Sequence, residues 1–230
     1  MPAPSMPPDA SAGTPLGPDT AAVVQLKVWL HGTSPMVWRR LQVPDTCTLR
    51  ELHGILQVAM GWEGVHLYQF CLRSRRYGSW ELAASSPDVT LAALRLRRGT
   101  RFTYEYDLNI PWRHEVRFEE SRLEMEPGGT CPRCTGGGGA CPPEDCGGPG
   151  GYMAGLDGAT SLAALEDLEE MADVLRAVVL ERRPEVLDEQ ETRWRLEDAV
   201  ERAQGRPFSR RSVNVRLRKR GHLELMHQQC

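Results

Sequence analysis

The chain has 230 residues, 40% of them hydrophobic, and carries 28 Lys and Arg against 31 Asp and Glu for a net charge of −3. That length suits one core with extensions, or two small domains, and the former is expected. No stretch approaches the roughly 18 consecutive apolar residues of a membrane-spanning helix, and the opening residues lack the basic start and apolar run of a secretion signal, so a cytoplasmic protein with no membrane partner is expected.

Residues 1–21 are dominated by Pro, Ala, Ser and Gly without hydrophobic periodicity, which predicts a disordered leader. From Val23 the pattern changes. Val24, Leu26, Val28 and Leu30 alternate with polar or aromatic neighbours, and Val37, Arg39, Leu41 and Val43 do the same after a turn at Gly32 to Pro35, which predicts a hairpin with one buried face. Thr48 and Glu51 stand at capping-box spacing before Leu49, Leu52, Leu56 and Ala59, and Gly61 supplies a C-terminal stop, so a helix is expected there. Residues 66–72 return to strand chemistry, a short strand is expected around Tyr77, and Leu91 to Leu96 reads as a short helix. Phe102, Tyr104 and Tyr106 share one strand face, and Trp112, His114, Val116 and Phe118 share the next, predicting a second hairpin. Thr160 or Ser161 is the expected cap of a helix whose Leu162, Leu165, Leu168, Ala172, Leu175 and Val179 form an apolar stripe, ended by Pro184. Another helix is expected to run to about Gln204.

This order predicts an α+β fold: a mixed, mainly antiparallel sheet covered by helices over residues 22–157, then a C-terminal helical extension over 158–230 with a basic tail. The domain includes a Cys-, Gly- and Pro-rich loop at 127–152. Charge is uneven: residues 158–205 carry 13 acidic and 6 basic side chains, whereas residues 206–230 carry 7 basic side chains against Glu224 alone. The two regions are expected either to pair with each other or to leave the tail free for nucleic acid.

Four of the seven cysteines crowd into one segment, Cys131, Cys134, Cys141 and Cys146, with no signal peptide before them. In a reduced compartment, thiolates at that spacing suit a structural zinc ion; free or redox-active thiols are the alternative. Glu144 and Asp145, between prolines and glycines, suit a turn or amide-capping role, a cation site, or acid–base chemistry. Gly136 to Gly139 lacks the Lys-Ser or Lys-Thr of a phosphate loop and reads as a flexible connector. His114 is expected near Asp107 across the second hairpin, where it either orients a proton transfer or is a satisfied sheet residue. Trp38, Arg39 and Arg40 suit stacking and phosphate contact, or packing under the helix. In the tail, Arg206, Arg210, Arg211, Arg216, Arg218, Lys219 and Arg220 form the strongest basic run; if Ser209 to Arg220 is helical, Val213 and Leu217 face inward.

Several segments together resemble the plasmid pRiA4b ORF-3-like family, also described as insertion-sequence passenger proteins of TnpR type. They are Ser34-Pro35-Met36-Val37-Trp38-Arg39-Arg40; Leu49, Leu52, His53, Gln57 and Met60-Gly61-Trp62; His66-Leu67 with Phe70; Tyr104-Glu105-Tyr106-Asp107 with Trp112 and His114; and Pro142-Pro143-Glu144-Asp145-Cys146-Gly147-Gly148 closing on Gly151-Tyr152. Val213-Asn214 and Leu217 resemble the family's closing helix. The likeness covers roughly residues 23–155 well. Family members continue Tyr-Asp with Phe-Gly-Asp, whereas this chain reads Asp107-Leu108-Asn109-Ile110-Pro111-Trp112, losing a glycine and a carboxylate. A resolvase role implied by the TnpR label needs an activated serine among clustered arginines, and the sequence gives no place to assign such a set.

The first reading is therefore a non-enzymatic binding or interaction module, associated with mobile elements and braced by zinc. A nucleic-acid-associated accessory protein is the second. An enzyme using Asp107, His114, Glu144, Asp145 or a clustered cysteine is the third, and it requires these groups to converge in one cleft.

Overall fold

Alternation makes Val23–Leu30 (β1) and Trp38–Pro44 (β2) a hairpin with one buried face, in a register that sets Trp29 opposite Trp38. The computed structural model describes residues 22–79, 84–123, 129–157, 162–204 and 208–226; the expected leader, the cap at Thr160 or Ser161, and Arg206 lie outside them. Leu49–Met60 (α1) starts with the expected reciprocal cap. Thr48 Oγ1 accepts from the Glu51 amide at 3.1 Å, and the Glu51 carboxylate accepts from the Thr48 amide at 2.8 Å. Gly61 ends the helix at φ 82°, a conformation that costs glycine little.

Tyr68–Leu72 (β3), Arg75–Gly78 (β4), Arg101–Tyr106 (β5), Trp112–Leu123 (β6) and Arg133–Gly138 (β7) complete one seven-stranded sheet in the order β4-β3-β5-β6-β1-β2-β7. Every neighbouring pair is antiparallel. The fold is thus α+β as expected, while residues 91–95 form turns rather than a short helix.

The glycine run expected to be a flexible connector is the edge strand β7. A Cβ at Gly138 would lie 2.9 Å from Trp38 Nε1, and one at Gly137 would lie 2.6 Å from the Phe208 ring. Missing side chains therefore let aromatic rings lie against both faces of this strand, which offsets the low strand propensity of glycine.

Gly148–Asp157 (α2) seats Tyr152 in the core at the hairpin ends. Leu162–Val179 (α3) and Gln190–Gln204 (α4) pack on each other and on the 3-10 turn Pro184–Asp188, and α2 touches α4. Arg210–Arg218 (α5) and Gly221–Leu225 (α6) return to the domain, where Val213, Leu217 and Leu225 join the core. The contact of α6 with α1 needs Gly54, because a Cβ there would lie 2.1 Å from the His222 carbonyl oxygen. The stretch read as one extension therefore contains an outlying helical pair and a C-terminal pair that completes the core. No helix among the described residues is long and apolar enough to cross a membrane.

Candidate functional site

Glu144 is a brace. Its carboxylate accepts from the Glu63 amide at 2.7 Å, from the Val65 amide at 3.4 Å, and from the Tyr106 hydroxyl. Its carbonyl accepts from Trp112 Nε1 at 3.1 Å, while the Pro142 carbonyl accepts from Trp62 Nε1 at 2.9 Å. The rigid Pro-Pro-Glu segment thereby fastens the segment after α1 to the aromatic end of the sheet, which is the capping role among those expected. Burial, and then the bond to Glu144, push the Tyr106 phenol well above its ordinary range.

Of the other acid–base candidates, Asp145 adjoins it through His66, whose amide donates to the Tyr106 hydroxyl at 3.2 Å, while Asp107 and His114 do not join it. Asp107 closes the β5–β6 turn at φ 57°, accepting from the Asn109 and Ile110 amides at 3.2 and 3.4 Å. Asp145 pairs with His66 at 2.6 Å at the surface. His114 is fully buried between Trp62 and Tyr104, and both ring nitrogens lack a hydrogen-bond partner among the described residues. The expected Asp107–His114 pair is not formed, because strand alternation turns His114 into the core while Asp107 is engaged with its own turn. Burial lowers the His114 pKa to about 3, so the ring is neutral.

The four clustered thiols are likewise dispersed. Cys131 Sγ donates to the Gln42 carbonyl at 3.4 Å, Cys134 Sγ to the Gly136 carbonyl at 3.3 Å, and Cys146 Sγ lies 3.9 Å from the Gly148 carbonyl. Cys141 Sγ instead accepts from Arg39 at 2.8 Å. No three His, Cys, Asp or Glu side chains among the described residues gather as an ion requires, so this arrangement does not fit the expected zinc site. The reason is β7: it pairs with β2 and sets Cys134 opposite Leu41, with Cys131 just before the strand bonded to the Gln42 carbonyl, while Cys141 and Cys146 lie in the loop beyond it. Burial pushes the Cys131 thiol up to about 11 and raises Cys134 and Cys146, which disfavours the thiolates that redox chemistry needs.

Trp38-Arg39-Arg40 is split by the same alternation. Arg39 is completely buried under the end of α1, where Nε donates to the Ala59 carbonyl at 2.9 Å and Nη1 to the Trp38 and Gly138 carbonyls at 2.7 and 2.8 Å. Phe208 covers its guanidinium at 4.1 Å, and no carboxylate lies within ion-pair distance among the described residues. Its role is structural, not phosphate contact.

Trp38 and Arg40 lie on the opposite, open face, where the register assembles a feature no single segment contains. Arg101 stands opposite Arg117, Arg117 opposite Lys27, and Lys27 opposite Arg40. Four cations thus form a row across β5, β6, β1 and β2. Directly opposed like charges destabilise a sheet. Arg40 is relieved by Glu119 at 2.8 Å and Arg101 by Glu115 at 3.0 Å, while Lys27 and Arg117 meet no carboxylate at ion-pair distance among the described residues. Glu119 is held below its ordinary range: burial alone would raise it, but hydrogen bonds from Arg40 and Gln25 prevail. Alongside runs the Trp29–Trp38 pair, with Lys27 at 5.2 Å from Trp38 and 5.9 Å from Trp29, and Arg40 at 5.7 Å from Trp38. Lys27, Trp29, Arg101 and Arg117 were not expected as site residues. The row required the β1–β2, β1–β6 and β5–β6 registers.

The basic helix α5 borders the end of that row. Arg210 donates to the Thr135 carbonyl at 3.3 Å, and Thr135 is next to Gly136, which pairs with Arg40. Asn214 binds the strand edge through both amide atoms, accepting from the Cys134 amide at 2.7 Å and donating to its carbonyl at 2.9 Å. Val213 and Leu217 face inward as expected, whereas Arg210, Arg211, Arg218, Lys219 and Arg220 are exposed. Arg216 alone of the described tail meets a carboxylate, that of Glu63 at 3.5 Å; no described pair joins the tail to α3 or α4.

The fold and this surface define an α+β domain with one face of its sheet closed by helices and the other open and cationic. The chain belongs to the plasmid pRiA4b ORF-3-like protein family, whose match spans residues 22–200. It is 37% identical over 140 residues to an uncharacterized protein, y4hQ, of Sinorhizobium fredii (strain NBRC 101917 / NGR234), covering 58% of this chain and 71% of that one. It is also similar to the crystal structure of MM3350, a protein of unknown function from Methanosarcina mazei Go1, with a TM-score of 0.56 and 30% identity over 62% of this chain and 83% of that chain.

Proposed function

We propose that the protein is a non-enzymatic binding module whose open sheet face takes single-stranded nucleic acid. The observation that carries this reading is the cross-strand row Arg101, Arg117, Lys27 and Arg40, adjoining the Trp29–Trp38 pair. A row of like charges is unfavourable by itself and becomes favourable against a polyanion, while indole faces add sequence-tolerant stacking. Arg210 extends the positive surface around the β7 edge, so the tail and the sheet serve one ligand. The separate Asp107 and His114, the surface Asp145–His66 pair and the braced Glu144 favour binding over catalysis. An association with mobile elements is supported by the plasmid in the family's description.

The test is tryptophan fluorescence titration with oligothymidylate across a salt series, compared with a duplex of equal length. Binding should quench fluorescence, weaken steeply with salt, and favour the single strand. Arg117→Glu should lower affinity at least about tenfold, and Trp38→Ala should lose about 1–3 kcal/mol of binding. No binding at low salt, or affinity indifferent to both substitutions, would sink the reading.

A further inference from the structure

Among the described residues, the second half of the α3 apolar stripe, from Leu168 to Val179, is uncovered. Leu168, Leu175 and Val179 are 60%, 60% and 64% exposed, and Ala172 is exposed between them. Val174, Ala177 and Val178, on a different side of the helix, are only half-exposed. Positions 168, 172, 175 and 179 are spaced four, three and four apart, the seam of a coiled coil. An uncovered seam of this kind marks an interaction surface.

We propose that α3 pairs antiparallel with α3 of a second copy of this chain. Charge identifies the occupant. The residues flanking the seam on one side are Glu169 and Arg176, both exposed. In an antiparallel pair that sets Ala172 against Leu175 and Leu168 against Val179, Glu169 of each copy lies beside Arg176 of the other. Two identical ion pairs then straddle the twofold axis. A parallel pair would instead set Arg176 beside Met171 and leave the charges unmatched. Arg176 now holds Asp173 at 2.7 Å, but both side chains are exposed, so that bond is exchanged at little cost. The other flank carries the exposed Met171, which widens the contact.

Sedimentation equilibrium of the full chain over a wide concentration range tests this, with far-UV circular dichroism confirming folding of each variant. The wild type should show a reversible monomer–dimer equilibrium, and Leu175→Asp should be monomeric. Glu169→Arg alone and Arg176→Glu alone should each weaken the dimer about tenfold, because each turns two attractions into two repulsions. Mixing these two variants should restore dimers, now of one copy of each, which a merely misfolded helix would not do. A monomer at every concentration, a dimer that survives Leu175→Asp, or a mixture no more associated than its components would overturn the proposal.

Discussion

The two faces of the sheet handle unfavourable polar groups in opposite ways. On the closed face, His53, His114 and Arg39 are all but fully buried, and each is kept in the form its surroundings tolerate. His53 stacks on Tyr68 at 3.8 Å and shares a 2.7 Å hydrogen bond with the Tyr104 hydroxyl, and burial lowers its pKa to about 3, as it does that of His114. Arg39 spends its donors on carbonyls and Cys141 Sγ. On the open face, like charges are left opposed and only half neutralised. The closed face is built for stability and the open face against it, which is the pattern of a binding surface.

The largest effect that would sharpen this contrast is acid unfolding. Both buried histidines have folded pKa values near 3, against 6.5 ordinarily. As pH falls below 6.5 the unfolded chain takes up protons that the folded chain refuses, so stability is lost between 6.5 and about 3, at about 1.4 kcal/mol per pH unit for each histidine. His222, lowered by burial, acts in the same direction. Urea midpoints across this range should show the slope, and His114→Phe should remove about one histidine's share; a flat profile would place the rings in contact with water.

Next in size is Arg39→Met, which keeps an aliphatic stem but abandons the carbonyls of Ala59, Trp38 and Gly138. A loss of about 3 kcal/mol or more in urea unfolding is expected, since each carbonyl left without a donor costs about 1–3 kcal/mol. Arg40→Met, one residue along but on the open face, should cost less than about 1 kcal/mol. Equal losses would erase the distinction between the faces. Glu144→Gln should follow, at about 1–3 kcal/mol, since a neutral amide cannot accept equally from two backbone amides and the Tyr106 hydroxyl.

These sites differ in how far sequence alone reveals them. The hairpins and the Thr48–Glu51 cap are local, so periodicity and spacing suffice. Arg39 is half-legible: alternation with Leu41 and Val43 places it inward, yet an arginine there also suits a phosphate contact until the carbonyls around it are known. The β7 strand defies propensity because its glycines are selected by Trp38 and Phe208, which come from distant parts of the chain. The cysteines mislead for the same reason, since close spacing in sequence says nothing about a strand that takes Cys134 into the sheet edge. The cation row is the least legible of all. It exists only through three registers that join residues 27, 40, 101 and 117.

The smallest expected effect cuts most directly between the faces. Arg117 is exposed, stands between Arg101 and Lys27, and meets no carboxylate at ion-pair distance among the described residues. Arg117→Thr removes two cross-strand repulsions and adds a residue that suits a strand, so it should stabilise the fold by about 0.5 kcal/mol. The same substitution should weaken nucleic-acid binding and reduce its salt slope by about one charge. Arg101→Thr is the control, because Arg101 is already held by Glu115 at 3.0 Å and its loss frees that carboxylate as well as one repulsion. Greater stability with weaker binding at Arg117, and no such gain at Arg101, would mean that the row is held against its own repulsion for a ligand's sake. If Arg117→Thr instead destabilised the fold and left binding intact, the open face would be ordinary solvated surface and the opposed charges an accident of register.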